Sequence, residues 1–106
     1  GCASVTAPQI FARLGAQCHV LNAEPNGINV NQNCGSTHME GLQAYVKEHG
    51  CDLGLAFDGD ADRCLAVDKN GALVDGDVLM AIFALDMKKR GKLKNNGLVV
   101  TVMSNL

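Results

Sequence analysis

Three aspartates at alternate positions, Asp58, Asp60 and Asp62, followed at once by Arg63, are the residues of this chain best suited to chemistry. Three carboxylates packed this closely repel one another unless a cation gathers them, and an oxygen-only donor set selects a hard divalent ion. Mg2+ suits the set, because it takes few protein carboxylates and keeps positions for water or a phosphate oxygen. Arg63 beside such a site offers a planar fork to a phosphate. Just upstream, Leu53, Leu55 and Phe57, separated by Gly54 and Ala56, read as a buried strand. Gly59 is the expected turning point where that strand empties into the loop.

Other chemistries share closely spaced aspartates. A calcium-binding EF-hand loop needs Gly at its sixth position and Glu at its twelfth; counted from Asp58 these are Arg63 and Lys69, so that reading fails. An aspartyl-phosphate enzyme would use Asp58 as nucleophile with Asp60 two residues on, but Asp62 stands where such enzymes carry a hydroxyl residue. A solvated acidic turn without a ligand is the bland alternative, and Arg63 counts against it.

With 106 residues and 47% hydrophobic content, the chain is expected to fold around one modest core. A net charge of −2 with both signs interspersed gives no reason to expect a nucleic-acid partner. Lys88, Lys89, Arg90, Lys92 and Lys94 read as cations at a helix C-terminus, where they offset the dipole. Five cysteines without a CxxC pair, and three scattered histidines, argue against a disulfide framework and against zinc. No stretch is long enough to span a membrane and no signal peptide is read before Gly1, so the expectation is a soluble, cytoplasmic protein.

The elements that position the loop follow from punctuation and periodicity. Val5, Ile10, Phe11 and Leu14 fit a helix capped by Ser4 or Thr6, with Pro8 in its first turn and Gly15 as its stop. A strand is expected over Gln17 to Leu21, then a long asparagine-rich loop over Asn22 to Gly35. Ser36-Thr37 with Glu40 resembles a capping box for a helix carrying Leu42, Tyr45 and Val46 and ending near Gly50. After the aspartate loop, Cys64 to Val67 reads as a strand that turns at Asp68-Lys69-Asn70-Gly71 into Ala72 to Val74. Asp75 or Asp77 caps a helix with Val78, Leu79, Ile82, Phe83 and Met87 on its apolar face, closing at Gly91, and Leu98 to Met103 is a last strand. Helices alternating with strands predict an α/β layered domain, its mixed, mostly parallel sheet flanked by helices. The first helix has no strand before it and the last strand has nothing after it, so the chain reads as cut at both ends. A sheet lacking its opening strand would leave an unpaired edge, and self-association of the chain is the expected result.

Among the remaining polar residues, His38 is read as a helix-start residue with a local hydrogen bond rather than as a wall of an active cleft. Asp75 and Asp77 are read as caps rather than as further metal ligands, the methionines as core filler, and Cys64 as a buried thiol without chemistry.

The run DGDADR, residues 58–63, resembles the metal loop of the α-D-phosphohexomutases, written DGDxDR in that superfamily. INVNQNCGSTH (28–38), LAFDGDADRCLAVD (55–68), VDGDVLM (74–80) and TVMSNL (101–106) resemble, in order and spacing, its bacterial branch acting on glucosamine phosphates. The resemblance implies that residues 1–106 are the second of four domains. It implies Mg2+ held by Asp58, Asp60 and Asp62 together with a phosphoserine from the first domain, and Arg63 as a catalytic residue facing the same cleft. The implied reaction interconverts glucosamine 6-phosphate and glucosamine 1-phosphate through a bisphosphorylated sugar, towards cell-wall precursors. The nucleophilic serine and the sugar-reading loops belong to the other three domains of the same protein, so the chain alone is expected to be inactive. Two alternatives stand beside this: a glucose- or mannose-phosphate mutase of the same superfamily, and a non-enzymatic module binding a divalent ion.

Overall fold

The computed structural model describes residues 2–24, 26–29, 32–36 and 38–104. These form two compact units that divide between Leu73 and Val74. The first holds helix α1 (Ala3–Arg13), helix α2 (Glu40–His49) and strands β1 (Leu53–Phe57) and β2 (Cys64–Asp68). Strand β3 (Leu73–Val74) completes a sheet of order β1-β2-β3, and the second unit carries helix α3 (Gly76–Lys89) and a 3-10 turn (Lys94–Asn96).

The layered α/β class holds, but the expected mostly parallel sheet is corrected: β1 and β2 pair antiparallel, Leu53 against Asp68 through to Phe57 against Cys64. Connection length is the reason. Residues 58–63 join β1 to β2 and residues 69–72 join β2 to β3, whereas a parallel pair needs a crossover of a dozen residues or more. The expected strands at 17–21 and 98–103 are also absent among the described residues. Their β-branched residues favour extended backbone, but a strand exists only when paired, and Val20, Leu98 and Val99 lie exposed with no ladder beside them.

The core lies between α2 and the β1–β2 pair. Met39, Val46, Ala56 and Val67 are buried there, with Leu42, Cys51 and Leu65 packed against them. Gly54 sets the distance of approach: a Cβ on it would lie 2.8 Å from Val46 Cγ2 and 3.1 Å from Leu42 Cγ, so only a bare backbone lets the helix sit this low on the strand. The helix then ends as expected at Gly50, whose φ of +62° is the left-handed conformation that glycine adopts without penalty, and Cys51 N donates to Val46 O at 3.0 Å. Its start differs from the expected capping box. Met39 is the N-cap and makes no side-chain cap bond, and Thr37 lies outside the described residues.

Helix α1 begins earlier than expected, at Ala3 after Cys2, with no side-chain cap. Pro8 therefore falls in the second turn, where its missing N–H removes one helical hydrogen bond. The turn after β2 is as read: Asp68 Oδ1 accepts from Asn70 N (2.9 Å) and Ala72 N (2.8 Å), and Gln43 Nε2 of α2 donates to Gly71 O at 2.7 Å. Of the expected asparagine-rich loop, the described part is held by its own amides, with Asn26 Oδ1 accepting from Ile28 N and Asn29 N. In the second unit Asp75 caps α3, its Oδ1 accepting from Val78 N at 3.0 Å, and Lys88 and Lys89 occupy the last turn. No residue of α3 is buried, so the predicted apolar face stands open at Val78, Ile82, Phe83 and Met87. No helix of the described residues is long and apolar enough to cross a membrane.

Candidate metal centre

Strand β1 delivers Asp58 to the edge of the core, and the loop returns the chain to β2 through Asp60, Asp62 and Arg63. Asp58 is buried, 4% exposed, whereas Asp60 and Asp62 reach solvent. The reversal is tight: Ala61 N donates to Asp58 O at 3.2 Å, and Ala61 itself takes a φ of +63°. The left-handed residue is thus Ala61, and Gly59, the expected turning point, has no positive φ. An alanine there is strained by its Cβ against the following carbonyl. That strained turn brings the three carboxylates together, with one oxygen of each lying within 4.8 Å of the others.

Arg63 organises the cluster. Its main-chain N donates to Asp58 Oδ1 at 3.1 Å and its Nε to Asp58 Oδ2 at 2.6 Å, so one residue serves both oxygens of the buried carboxylate. Nε also stands 3.7 Å from Asp62 Oδ1. The Arg63 side chain is 70% exposed against 2% for that of Asp58, which leaves the terminal guanidinium nitrogens towards solvent, available to an anion. Burial works against charge on Asp58, but the side-chain and main-chain hydrogen bonds from Arg63 outweigh it and hold the pKa at about 2. Asp62 moves the other way, raised by its hydrogen bond with Asp58 and by the charges of Asp60 and Asp58. The hydrogen bond and charge of Asp58 raise the Arg63 guanidinium further, so it stays cationic.

The donor set fits a hard cation: three carboxylate oxygens, no nitrogen, no sulfur. Oxygen ligands of an octahedral Mg2+ lie about 2.9 Å apart when adjacent and about 4.1 Å apart when opposite, so three oxygens within 4.8 Å of one another would draw closer to share one ion. Among the described residues no other trio of His, Cys, Asp or Glu meets in this way. All four residues singled out from the sequence, Asp58, Asp60, Asp62 and Arg63, are thereby brought together. His38 lies just before α2, with its main-chain N donating to Gly35 O at 3.2 Å, in keeping with the local reading. Asp75 is a cap and Cys64 is a thiol that burial pushes up, which suits a side chain without chemistry. One anchor of the loop left no mark in the sequence: Cys2 N, at the start of α1, donates to Gly59 O at 3.0 Å. Any residue type could make that main-chain contact.

The antiparallel hairpin backed by a helix, with its acidic loop and clasping arginine, defines a small α/β domain carrying a cluster of three carboxylates that could hold a metal ion. A profile of the family described as phosphoglucomutase/phosphomannomutase, alpha/beta/alpha domain II, matches residues 1–71, and the chain belongs to that family. Among curated relatives, those named phosphoglucosamine mutase from Acetivibrio thermocellus, Rhodococcus jostii and Clostridium novyi are 60%, 59% and 58% identical to it over all 106 residues. The chain spans 24% of the length of each of these relatives.

Proposed function

We infer that this chain is the metal-loop portion of a phosphoglucosamine mutase, cytoplasmic, interconverting glucosamine 6-phosphate and glucosamine 1-phosphate through a bisphosphorylated sugar. The observation that carries the reading is the convergence of Asp58, Asp60 and Asp62 with Arg63 fixed against them, in a chain 60% identical to an enzyme of that name. Asp58, Asp60 and Asp62 would hold Mg2+, which when bound neutralises charge on a transferring phosphoryl group. The protein side of the work is positional. Asp58, buried and ionised, fixes Arg63 through two hydrogen bonds, and the free face of the guanidinium is left to receive phosphate oxygens. Preorganised charge of this kind contributes because it needs no rearrangement as the reaction proceeds. The nucleophilic serine and the contacts that read the sugar are assigned to other domains of the same protein.

The test uses the full-length protein assayed on the phosphates of glucosamine, glucose and mannose. The expected result is preference for glucosamine phosphate, with Asp60→Asn lowering kcat by about 10²-fold or more. Preference for glucose or mannose phosphate would move the assignment within the family. Mg2+ binding without turnover of any of the three sugars would make the domain a non-enzymatic ion-binding module.

A further inference from the structure

Asparagine amides hydrolyse spontaneously, fastest where glycine follows, because glycine has no side chain to keep its main-chain N–H away from the asparagine Cγ. The chain carries three such pairs, Asn26-Gly27, Asn70-Gly71 and Asn96-Gly97, and residue type alone rates them alike. Their surroundings separate them. Reaction requires the glycine N–H to leave any bond it makes and to attack Cγ. Gly71 N donates to Asp68 O at 2.9 Å, Gly71 O accepts from Gln43 Nε2 at 2.7 Å, and Asn70 N donates to Asp68 Oδ1 at 2.9 Å. Gly71 is also buried under the Lys47 stem, where a Cβ on it would lie 2.5 Å from Lys47 Cδ. Gly97 N is engaged as well, donating to Lys94 O at 3.1 Å.

Gly27 differs on each count. It is exposed, a Cβ on it would meet nothing within 4 Å, and its N–H has no acceptor among the described residues. The group it would attack is prepared: Asn26 Oδ1 accepts from Ile28 N at 3.1 Å and from Asn29 N at 3.0 Å. Two main-chain donors on that oxygen polarise Cγ and stabilise the oxyanion that forms when a nucleophile adds to it. Asn29 keeps those donors in place, its Nδ2 donating to Glu24 O at 2.9 Å and its Oδ1 accepting from Asn26 N at 3.0 Å. The leaving nitrogen, Asn26 Nδ2, is not tied by any bond among the described residues.

We propose that Asn26 is a self-modifying site, which the fold directs towards aspartate and isoaspartate while protecting Asn70 and Asn96. Gly27 N gives up its proton and bonds to Asn26 Cγ, the Cγ–Nδ2 bond breaks, and the amide leaves with that proton as ammonia. Water then opens the succinimide ring, its hydroxyl adding to one of the two carbonyls and its remaining proton returning to the ring nitrogen. Opening at one carbonyl gives aspartate and at the other isoaspartate, which routes the main chain through the side-chain carbon. Either product adds a negative charge to the loop, and isoaspartate also breaks the Asn26–Asn29 bonding. The chemistry needs no metal and no sugar phosphate, so it stands apart from the mutase reading.

Peptide mapping by mass spectrometry tests this on the full-length protein, aged at mildly alkaline pH both folded and in guanidinium chloride. In denaturant the three pairs are expected to react at comparable rates. In the folded protein Asn26 is expected to react at least about tenfold faster than Asn70, whose turn must open first, and faster than Asn96. Ile28→Pro removes one of the two donors to Asn26 Oδ1 and is expected to slow Asn26 by about threefold or more in the folded protein, with no change in denaturant. Asn70 or Asn96 reacting as fast as Asn26 in the folded protein overturns the proposal, as does an Asn26 rate indifferent to Ile28→Pro. Should Ile28→Pro unfold the protein, Asn70 would react at its denatured rate, and Asn29→Ala, which releases the same donors from the side-chain end, decides by the same slowing of Asn26.

Discussion

Asp58 is the residue on which the loop turns, since it is the one carboxylate of the three withdrawn from water and the one that Arg63 clasps through both oxygens. Its folded pKa of about 2 lies below the ordinary 3.8, so the stabilisation it contributes is complete above about pH 4 and lost as pH falls through 2. Carbon-detected titration should show that low value in the wild-type chain. In Arg63→Met it should rise, because burial then acts with less to oppose it. An unchanged Asp58 titration in that variant would mean that Arg63 does not set it. Asp62 is displaced upward, and a protonated Asp62 cannot ligate. Mg2+ affinity is therefore expected to fall as pH descends through the Asp62 titration, with proton release on binding measurable by calorimetry in two buffers of different ionisation enthalpy. Ala61 offers a third residue-level check. Ala61→Gly relieves the left-handed strain, and chemical denaturation should report a gain of about 0.5–1 kcal/mol, the larger unfolded-state freedom of glycine offsetting part of the relief.

At the level of elements, α2 and the β1–β2 hairpin hold the loop through a four-residue core, and the contact depends on Gly54. Gly54→Val would force its side chain into Val46 and Leu42, and urea unfolding is expected to show a loss of about 1–3 kcal/mol. Stability equal to the wild type would place α2 further from β1. These elements were legible in the sequence wherever the signal is local. Asp75 ahead of an apolar run marks a helix start, Gly50 marks a helix end, and Asp68-Lys69-Asn70-Gly71 marks a turn, because each motif satisfies nearby main-chain groups by itself. Pairing is not local. Alternation identified Leu53 to Phe57 as a strand but carried no information on its partner or direction, which the six residues of the loop decided. Residues 17–21 and 98–103 show the same gap from the other side: strand propensity without a pairing neighbour leaves an exposed run outside any strand. The meeting of Asp58, Asp60 and Asp62 beside Arg63 was legible in DGDADR, since these side chains lie within six residues, while the left-handed Ala61 and the Cys2–Gly59 tie are backbone facts that no residue type announces.

For the whole molecule, the family profile ends at residue 71, two residues before the division between the compact units, and the chain spans 24% of its relatives' length. The acidic loop therefore lies in the part that the family profile matches. Three oxygens with two of the carboxylates exposed make a shallow cluster, and we expect the 106-residue chain to bind Mg2+ weakly and to have no mutase activity, with tighter Mg2+ binding and turnover expected of the full-length protein. The most direct test of the central claim, that Asp58, Asp60 and Asp62 meet on one cation, is a Mg2+ titration of this chain followed by carboxyl and amide NMR. The account predicts saturable shifts confined to residues 58–63, abolished by Asp60→Asn. Loop signals that stay still at saturating Mg2+, or shifts that survive Asp60→Asn unchanged, would contradict it.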